Sequence, residues 1–162
     1  DILSASGGKD SVLGDDGADV ITGSAGNDNL DGGAGNDQID GGPDNDFVSG
    51  GADSDNLILG SGIDNGRACT DVNGGLDTSS AVNSIDGGTG DDVLSGCIGK
   101  DTIKGGVGND SLTGGNGTDK LYGQDGSDKL AGEGSSGDLC DGGTGTDAVL
   151  AQDGCETKVS IP

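Results

Sequence analysis

The chain lacks histidine, methionine and tryptophan altogether, and Phe47 and Tyr122 are its only aromatic residues. Without histidine, the usual general bases and catalytic triads are missing. Without aromatic platforms, sugar stacking has almost nothing to work with. No apolar run approaches the roughly 18 residues needed to span a bilayer. Positive charge is scarce too: 7 Lys and Arg face 30 acids, giving a formal charge of −23 over 162 residues. That balance repels nucleic-acid phosphates and anionic membrane, so neither is an expected partner. Low hydrophobicity with high net charge would ordinarily mark a disordered chain.

Periodicity overrules that reading. A nine-residue phrase, Gly-Gly-x-Gly-x-Asp-x-U-x with U a large aliphatic, recurs almost end to end. Consecutive copies read Gly23-Ser24-Ala25-Gly26-Asn27-Asp28-Asn29-Leu30-Asp31 and Gly32-Gly33-Ala34-Gly35-Asn36-Asp37-Gln38-Ile39-Asp40. With aspartate at position 6 and the aliphatic at position 8, the aliphatic column runs Leu3, Val12, Ile21, Leu30, Ile39, Val48 and Leu57. The phase breaks at Asn65 and resumes at Asn83, one residue more than two repeats beyond Asp64. Ile85, Leu94, Ile103, Leu112, Leu121 and Leu130 then follow in step. A one-residue slip across 132–137 puts Asp138 and Cys140 at positions 6 and 8, and Asp147 with Val149 closes the series. Residues 1–65 therefore read as one repeat tract and 83–150 as a second, with an irregular insertion (66–82, containing Cys69) between them and a cap at 151–162, all in one solenoid. The chain opens in mid-phrase with no signal peptide, so it reads as a mature or trimmed product.

The spacing predicts an all-β parallel roll. Nine residues divide into a six-residue turn and a three-residue strand. Glycine at positions 1, 2 and 4 supplies backbone angles that other residues reach only with strain. A strand alternates its side chains, so of the last three residues only position 8 points inward. Two nonapeptides make one coil, and stacked coils form two parallel sheets with rungs about 4.8 Å apart. Position-6 carboxylates of neighbouring rungs would then repel unless a cation lies between them. Calcium suits the gap, being a hard ion that takes 6–8 oxygens, and two aspartates with turn carbonyls from two rungs supply such a set. The core is thin for a chain of this charge, so the chain is expected to be largely disordered without calcium and to fold as the metal binds. Four cysteines with no Cys-x-x-Cys spacing and no histidine argue against zinc and for two disulfides in an oxidising compartment.

These phrases resemble the RTX family of secreted bacterial proteins, over Asp1–Asn65 and Asn83–Val149. The resemblance implies a right-handed parallel β-roll with calcium in the turns, on the order of ten ions here. It implies ligation by Asp10, Asp19, Asp28, Asp37, Asp46, Asp55, Asp64, Asp92, Asp101, Asp110, Asp119, Asp128 and Asp147, completed by turn carbonyls. It also implies an extracellular protein folding after export into millimolar calcium. Some residues depart from the pattern. Asp44 and Asp53 replace glycine at position 4, where strain or an extra acidic ligand is expected, and Asn83 replaces aspartate at position 6, which should weaken a site there. The end of the chain looks like a disulfide-closed terminus of other secreted RTX-like proteins, and with that resemblance Cys140 is expected to pair with Cys155; a Cys69–Cys97 bond would staple the irregular segment to a turn, Cys97 standing in a position-2 glycine slot. Intermolecular pairing stays open at this stage.

The leading expectation is a non-enzymatic, extracellular calcium-binding repeat protein with a structural role. One alternative is a self-associating fibre or surface-layer subunit whose coils stack head to tail, for which the outward apolar residues Ile2, Val20, Phe47, Ile58 and Val93 would offer contacts. Another is a non-catalytic module of a larger secreted enzyme or adhesin. The position-9 row, Ser4, Leu13, Thr22, Asp31, Asp40, Ser49 and Ile58, is too uneven for ice or crystal binding.

Overall fold

The computed structural model describes residues 1–69, 81–134, 137–150 and 154–158. The core of the irregular segment, 70–80, and most of the expected cap lie outside the described residues. Strands and turns make up the described residues, with no helix among them. The strands form two large sheets, one of nine strands from Ile2–Ser4 to Cys155–Lys158 and one of eight from Ser11–Leu13 to Ala148–Val149, with a small third sheet of Ile98–Gly99 and Asn116–Gly117 in the turns. Strands of the two large sheets alternate along the chain, and every pairing among the described residues is parallel. This is the two-walled parallel solenoid that the nonapeptide phase requires.

Register follows the repeat. Ile2 pairs with Val20 and Val20 with Gln38, one coil apart. Across the irregular segment the register is kept although the chain between partners is ten residues longer, so that Asn56 pairs with Ser84 and Asn65 with Val93. After the later slip Leu121 pairs with Cys140. The position-8 side chains interdigitate down the centre, where Ile21, Leu30, Ile39, Val48, Leu57, Ile85, Leu94, Ile103, Leu112, Leu121 and Leu130 are all buried. Cys140 takes the same inward slot and bonds to Cys155 on the neighbouring strand of the same sheet, so a disulfide continues the core where aliphatics run out. Cys69 bonds to Cys97, and both pairings agree with those expected.

Three features differ from the simple repeat. Seven of the strands run six residues instead of three, because positions 1–3 stay in the ladder: Gly33 pairs with Gly51 and Ala34 with Ala52. The sharp part of each turn is correspondingly short. Non-glycine residues are forced into left-handed backbone at positions 2 and 4, where Asp15, Ser24, Asp44, Asp53, Cys97, Gln124 and Glu133 all have positive φ. The strain expected at Asp44 and Asp53 is present, with φ of 84° and 81°. Finally, the strand Asn65–Arg67 continues the sheet with Gly66 in the inward slot, where no side chain can fill the core. Leu59, a position-1 residue, turns inward and occupies that space: a Cβ on Gly66 would lie 2.8 Å from a Leu59 methyl. Lys104 offsets Asp86 on the outer face at 3.6 Å, an exposed pair of little energetic weight.

Leu59 thus replaces two deviations with one good contact. Leu59→Ala should lower stability in saturating calcium by about 2–5 kcal/mol, since the site cannot collapse onto a glycine. Adding Gly66→Val to that variant should recover part of the loss, and denaturant unfolding of the two variants measures both effects.

Candidate metal centre

Two aspartate columns flank the core, one ahead of each sheet. The first comprises Asp1, Asp19, Asp37, Asp55, Asn83, Asp101, Asp119 and Asp138, and the second Asp10, Asp28, Asp46, Asp64, Asp92, Asp110, Asp128 and Asp147. Each column is knitted by its own side chains. The N–H of Asp19 donates to Oδ1 of Asp37, that of Asp37 to Asp55, and that of Asp28 to Asp46, at 2.8–2.9 Å. The same bond recurs from Asp64 to Asp92, from Asp119 to Asp138 across the slip, and from Asp128 to Asp147. The carbonyl of Asp19 meanwhile accepts from the N–H of Gln38 in the next coil. The position-6 peptides from Asp10 to Asp128 are therefore held on both sides by the coil that follows. A strand begins at the next residue, and the carboxylate supplies the acceptor that a neighbouring strand does not yet provide.

That duty occupies only Oδ1. Oδ2 is buried without any hydrogen-bond partner in Asp10, Asp19, Asp28, Asp37, Asp46, Asp64, Asp92, Asp110, Asp119, Asp128 and Asp138. Most of these residues are under 5 % exposed. A buried, uncompensated carboxylate oxygen is among the costliest arrangements a protein can hold. Burial accordingly pushes the carboxyl groups of Asp64, Asp92 and Asp110 up to about 6, against a backbone hydrogen bond that lowers them and neighbouring aspartates that raise them further. Asp37, Asp46, Asp119 and Asp128 are raised for the same leading reason.

Backbone oxygens gather around Oδ2. A Cβ placed on Gly32, at position 1, would lie 2.3 Å from Oδ2 of Asp37 and 2.4 Å from the carbonyl oxygen of Gly50 one coil on. The same cradle recurs at Gly23 with Asp28 and Gly41, at Gly87 with Asp92 and Gly105, and at Gly123 with Asp128 and Gly142. Carbonyls at positions 2 and 4 also face the next coil, since a Cβ on Gly33 would meet the Asp15 oxygen and one on Gly35 the Gly17 oxygen, each at 2.1 Å. Among the described residues no three His, Cys, Asp or Glu side chains converge on one point. The donor set is thus one carboxylate oxygen per turn with several carbonyls, all hard oxygen. Such a set fits calcium and offers nothing to zinc or copper.

Asp138 stands in the same geometry as the thirteen aspartates named from the repeat, fully buried and with its Oδ1 filled by Asp119. The one-residue slip had already set it at position 6. Asp147 is less buried, at the last complete rung. A second ladder was not foreseen. At position 5, Oδ1 of Asn27 accepts the N–H of Asn45, Asn36 that of Ser54, Asn45 that of Ile63, and Asn109 that of Ser127. It is exposed and runs in the opposite sense, each side chain serving the coil after it. The recurring Asn-Asp pair within the phrase was its signal.

Two outcomes follow. Gly32→Ala should remove one ion from the calcium count by native mass spectrometry, because the new methyl takes the space between Asp37 and Gly50. In chelator, the raised carboxyls bind protons more tightly folded than unfolded, so the metal-free fold is penalised above about pH 6 and relieved as pH falls toward 4. Circular dichroism in chelator should show more ordered β-structure at pH 5 than at pH 7, and the calcium-loaded chain should show the reverse trend as protons displace the metal.

None of the curated proteins matches the chain. The profile of the RTX calcium-binding nonapeptide repeat matches residues 4–39, 31–65, 77–112, 95–130 and 113–149. These stretches cover most of the 162 residues. The phase, the parallel two-walled solenoid and the stacked buried aspartates all agree with that match, and the chain belongs to the RTX calcium-binding nonapeptide-repeat family.

Proposed function

We propose that the chain is an extracellular structural module whose folding is driven by calcium, with no catalytic role of its own. The observation that carries this reading is the choice of aspartate over asparagine. Asn83 performs the Oδ1 duty as well as any aspartate, accepting the N–H of Asp55 at 2.8 Å. Neutral asparagine would therefore build the same ladder without the electrostatic penalty. Fifteen of the sixteen position-6 residues are nonetheless aspartate. Their second oxygen, and its charge, has a use that the ladder does not explain.

A bound calcium supplies positive charge and takes up oxygen lone pairs. The residues that would hold it are Asp10, Asp19, Asp28, Asp37, Asp46, Asp55, Asp64, Asp92, Asp101, Asp110, Asp119, Asp128 and Asp147, joined by Asp138, each through Oδ2 with carbonyls of the turn. On the order of ten ions would offset most of the −23 charge. The chain's own part is to hold these oxygens in place. Glycine lets the carbonyls approach, Oδ1 fixes each carboxylate against the neighbouring coil, and the aliphatic column sets the spacing between turns. Two disulfides suit an oxidising compartment, and RTX repeat proteins are typically secreted, which supports a place outside the cell. The exposed apolar residues are divided between the sheets, with Val20 and Ile58 on one and Phe47 and Val93 on the other. They read as isolated surface residues more readily than as an assembly face.

A calcium titration followed by far-UV circular dichroism, with native mass spectrometry counting bound ions, tests the proposal. We expect β-structure to build up with about ten ions bound and to disappear in chelator at pH 7. A chain equally folded in excess chelator would sink the folding claim, and a chain without bound calcium would sink the reading as a whole.

A further inference from the structure

One rung of the solenoid is built differently from all the others. In the first column, position 6 is Asn83, which is 1 % exposed. Its orientation is fixed by its neighbours. The N–H of Asp55 is an obligate donor, so the atom facing it must be Oδ1, and Nδ2 must face the other way. Nδ2 donates to Oδ1 of Asp101 at 3.0 Å, beside the backbone N–H of Asn83, which donates to the same oxygen at 2.9 Å. An amide N–H stands where the other rungs present a second carboxylate oxygen. A cation and an amide N–H₂ cannot share that place, because both carry positive charge toward the same acceptors.

The same rung carries the only disulfide that joins one turn to the next. Asn65 pairs with Val93, Gly66 with Leu94 and Arg67 with Ser95, so Cys69 and Cys97 occupy the same position 2 of successive turns, one coil above the other. Their Cα atoms are 6.2 Å apart. Cys97 holds positive φ, in a slot that the turn otherwise gives largely to glycine. In the repeat phase Ala68 and Cys69 stand at positions 1 and 2, and Asn83 is the position-6 residue that follows them. Loss of the position-6 charge, an inward amide and a covalent tie between turns therefore coincide at one place. They also coincide with the ten-residue excess between strand partners, which separates Ala68 from the position-5 and position-6 residues of its own turn.

We infer that this rung closes without a metal: the Asn83 amide and the Cys69–Cys97 bond together take the part that calcium plays in the other turns. The first column is thereby divided into two calcium-bound blocks joined by a metal-free, oxidation-dependent coil. The inference rests on the calcium reading of the other turns.

Crystals of the full chain grown with terbium(III) in place of calcium, examined by anomalous scattering, test it directly. We expect peaks in the turns of Asp19, Asp37 and Asp119, and none between Asn83 and Asp101. A peak at Asn83 overturns the inference while leaving the calcium reading intact, and a map empty at every turn overturns the calcium reading itself. In native mass spectrometry with calcium, Asn83→Ala should keep the wild-type ion count, whereas Asp37→Ala should lose one ion. A loss of one ion from Asn83→Ala overturns the inference. For the covalent half, hydrogen exchange on Cys69→Ser with Cys97→Ser in saturating calcium should rise at least tenfold within 81–101 and stay unchanged within 19–46. Unchanged exchange throughout, or a rise spread evenly along the chain, overturns the role given to the disulfide.

Discussion

A carboxylate with one oxygen committed and one left over governs this molecule. At each rung Oδ1 supplies the acceptor that lets the backbone pass from turn to strand, and Oδ2 is carried into the interior as a consequence. The stack therefore cannot be tightened without concentrating negative charge, nor the charge relieved without a cation. The thin aliphatic core sets the spacing at which this conflict is held. Glycine follows from the same constraint, since a methyl at position 1 would intrude on both Oδ2 and the carbonyl that faces it.

Much of this was legible from the sequence because the repeat has few degrees of freedom. A nine-residue phase with one aliphatic and one aspartate fixes which residues face inward and which stack, so the columns through Leu30 and Asp28, or Ile103 and Asp101, could be written down residue by residue. The disulfides were legible by resemblance at the chain end and by Cys97 standing in a glycine slot. What the phase could not reveal was compensation between residues that break it. Gly66 looks like the end of the repeat, and Leu59 looks like an irregular position 1. Only their contact shows that each repairs the other. The position-5 ladder was hidden for a different reason. Asparagine, serine and aspartate all serve there, so the column at Asn27, Asn45, Ser54 and Asp91 has no fixed residue type, although it has one chemical task, a short side-chain oxygen accepting an N–H.

Long chain excursions are absorbed without loss of pairing. Partners sit 18 residues apart over most of the stack, 28 apart across the irregular segment and 19 apart after the slip, yet they remain in register. Both extra lengths of chain fall between a strand of the second sheet and the next position-6 residue of the first column. That column accordingly holds both the asparagine and the inter-turn disulfide, while the second column continues as an unbroken file of aspartates from Asp10 to Asp147.

The aspartate bonds also have a direction. Because each carboxylate answers the amide of the coil preceding it, a coil is finished only when its successor arrives. The solenoid is in this sense a one-way zipper. A chain threading into a calcium-rich space amino end first can lock each loop as the next one emerges, with no need to wait for distant segments. Removing coils from the carboxyl end strips the carboxylate acceptors from the surviving position-6 amides, whereas removing them from the amino end leaves each surviving position-6 amide its carboxylate, so the two ends of the column are not equivalent places to cut.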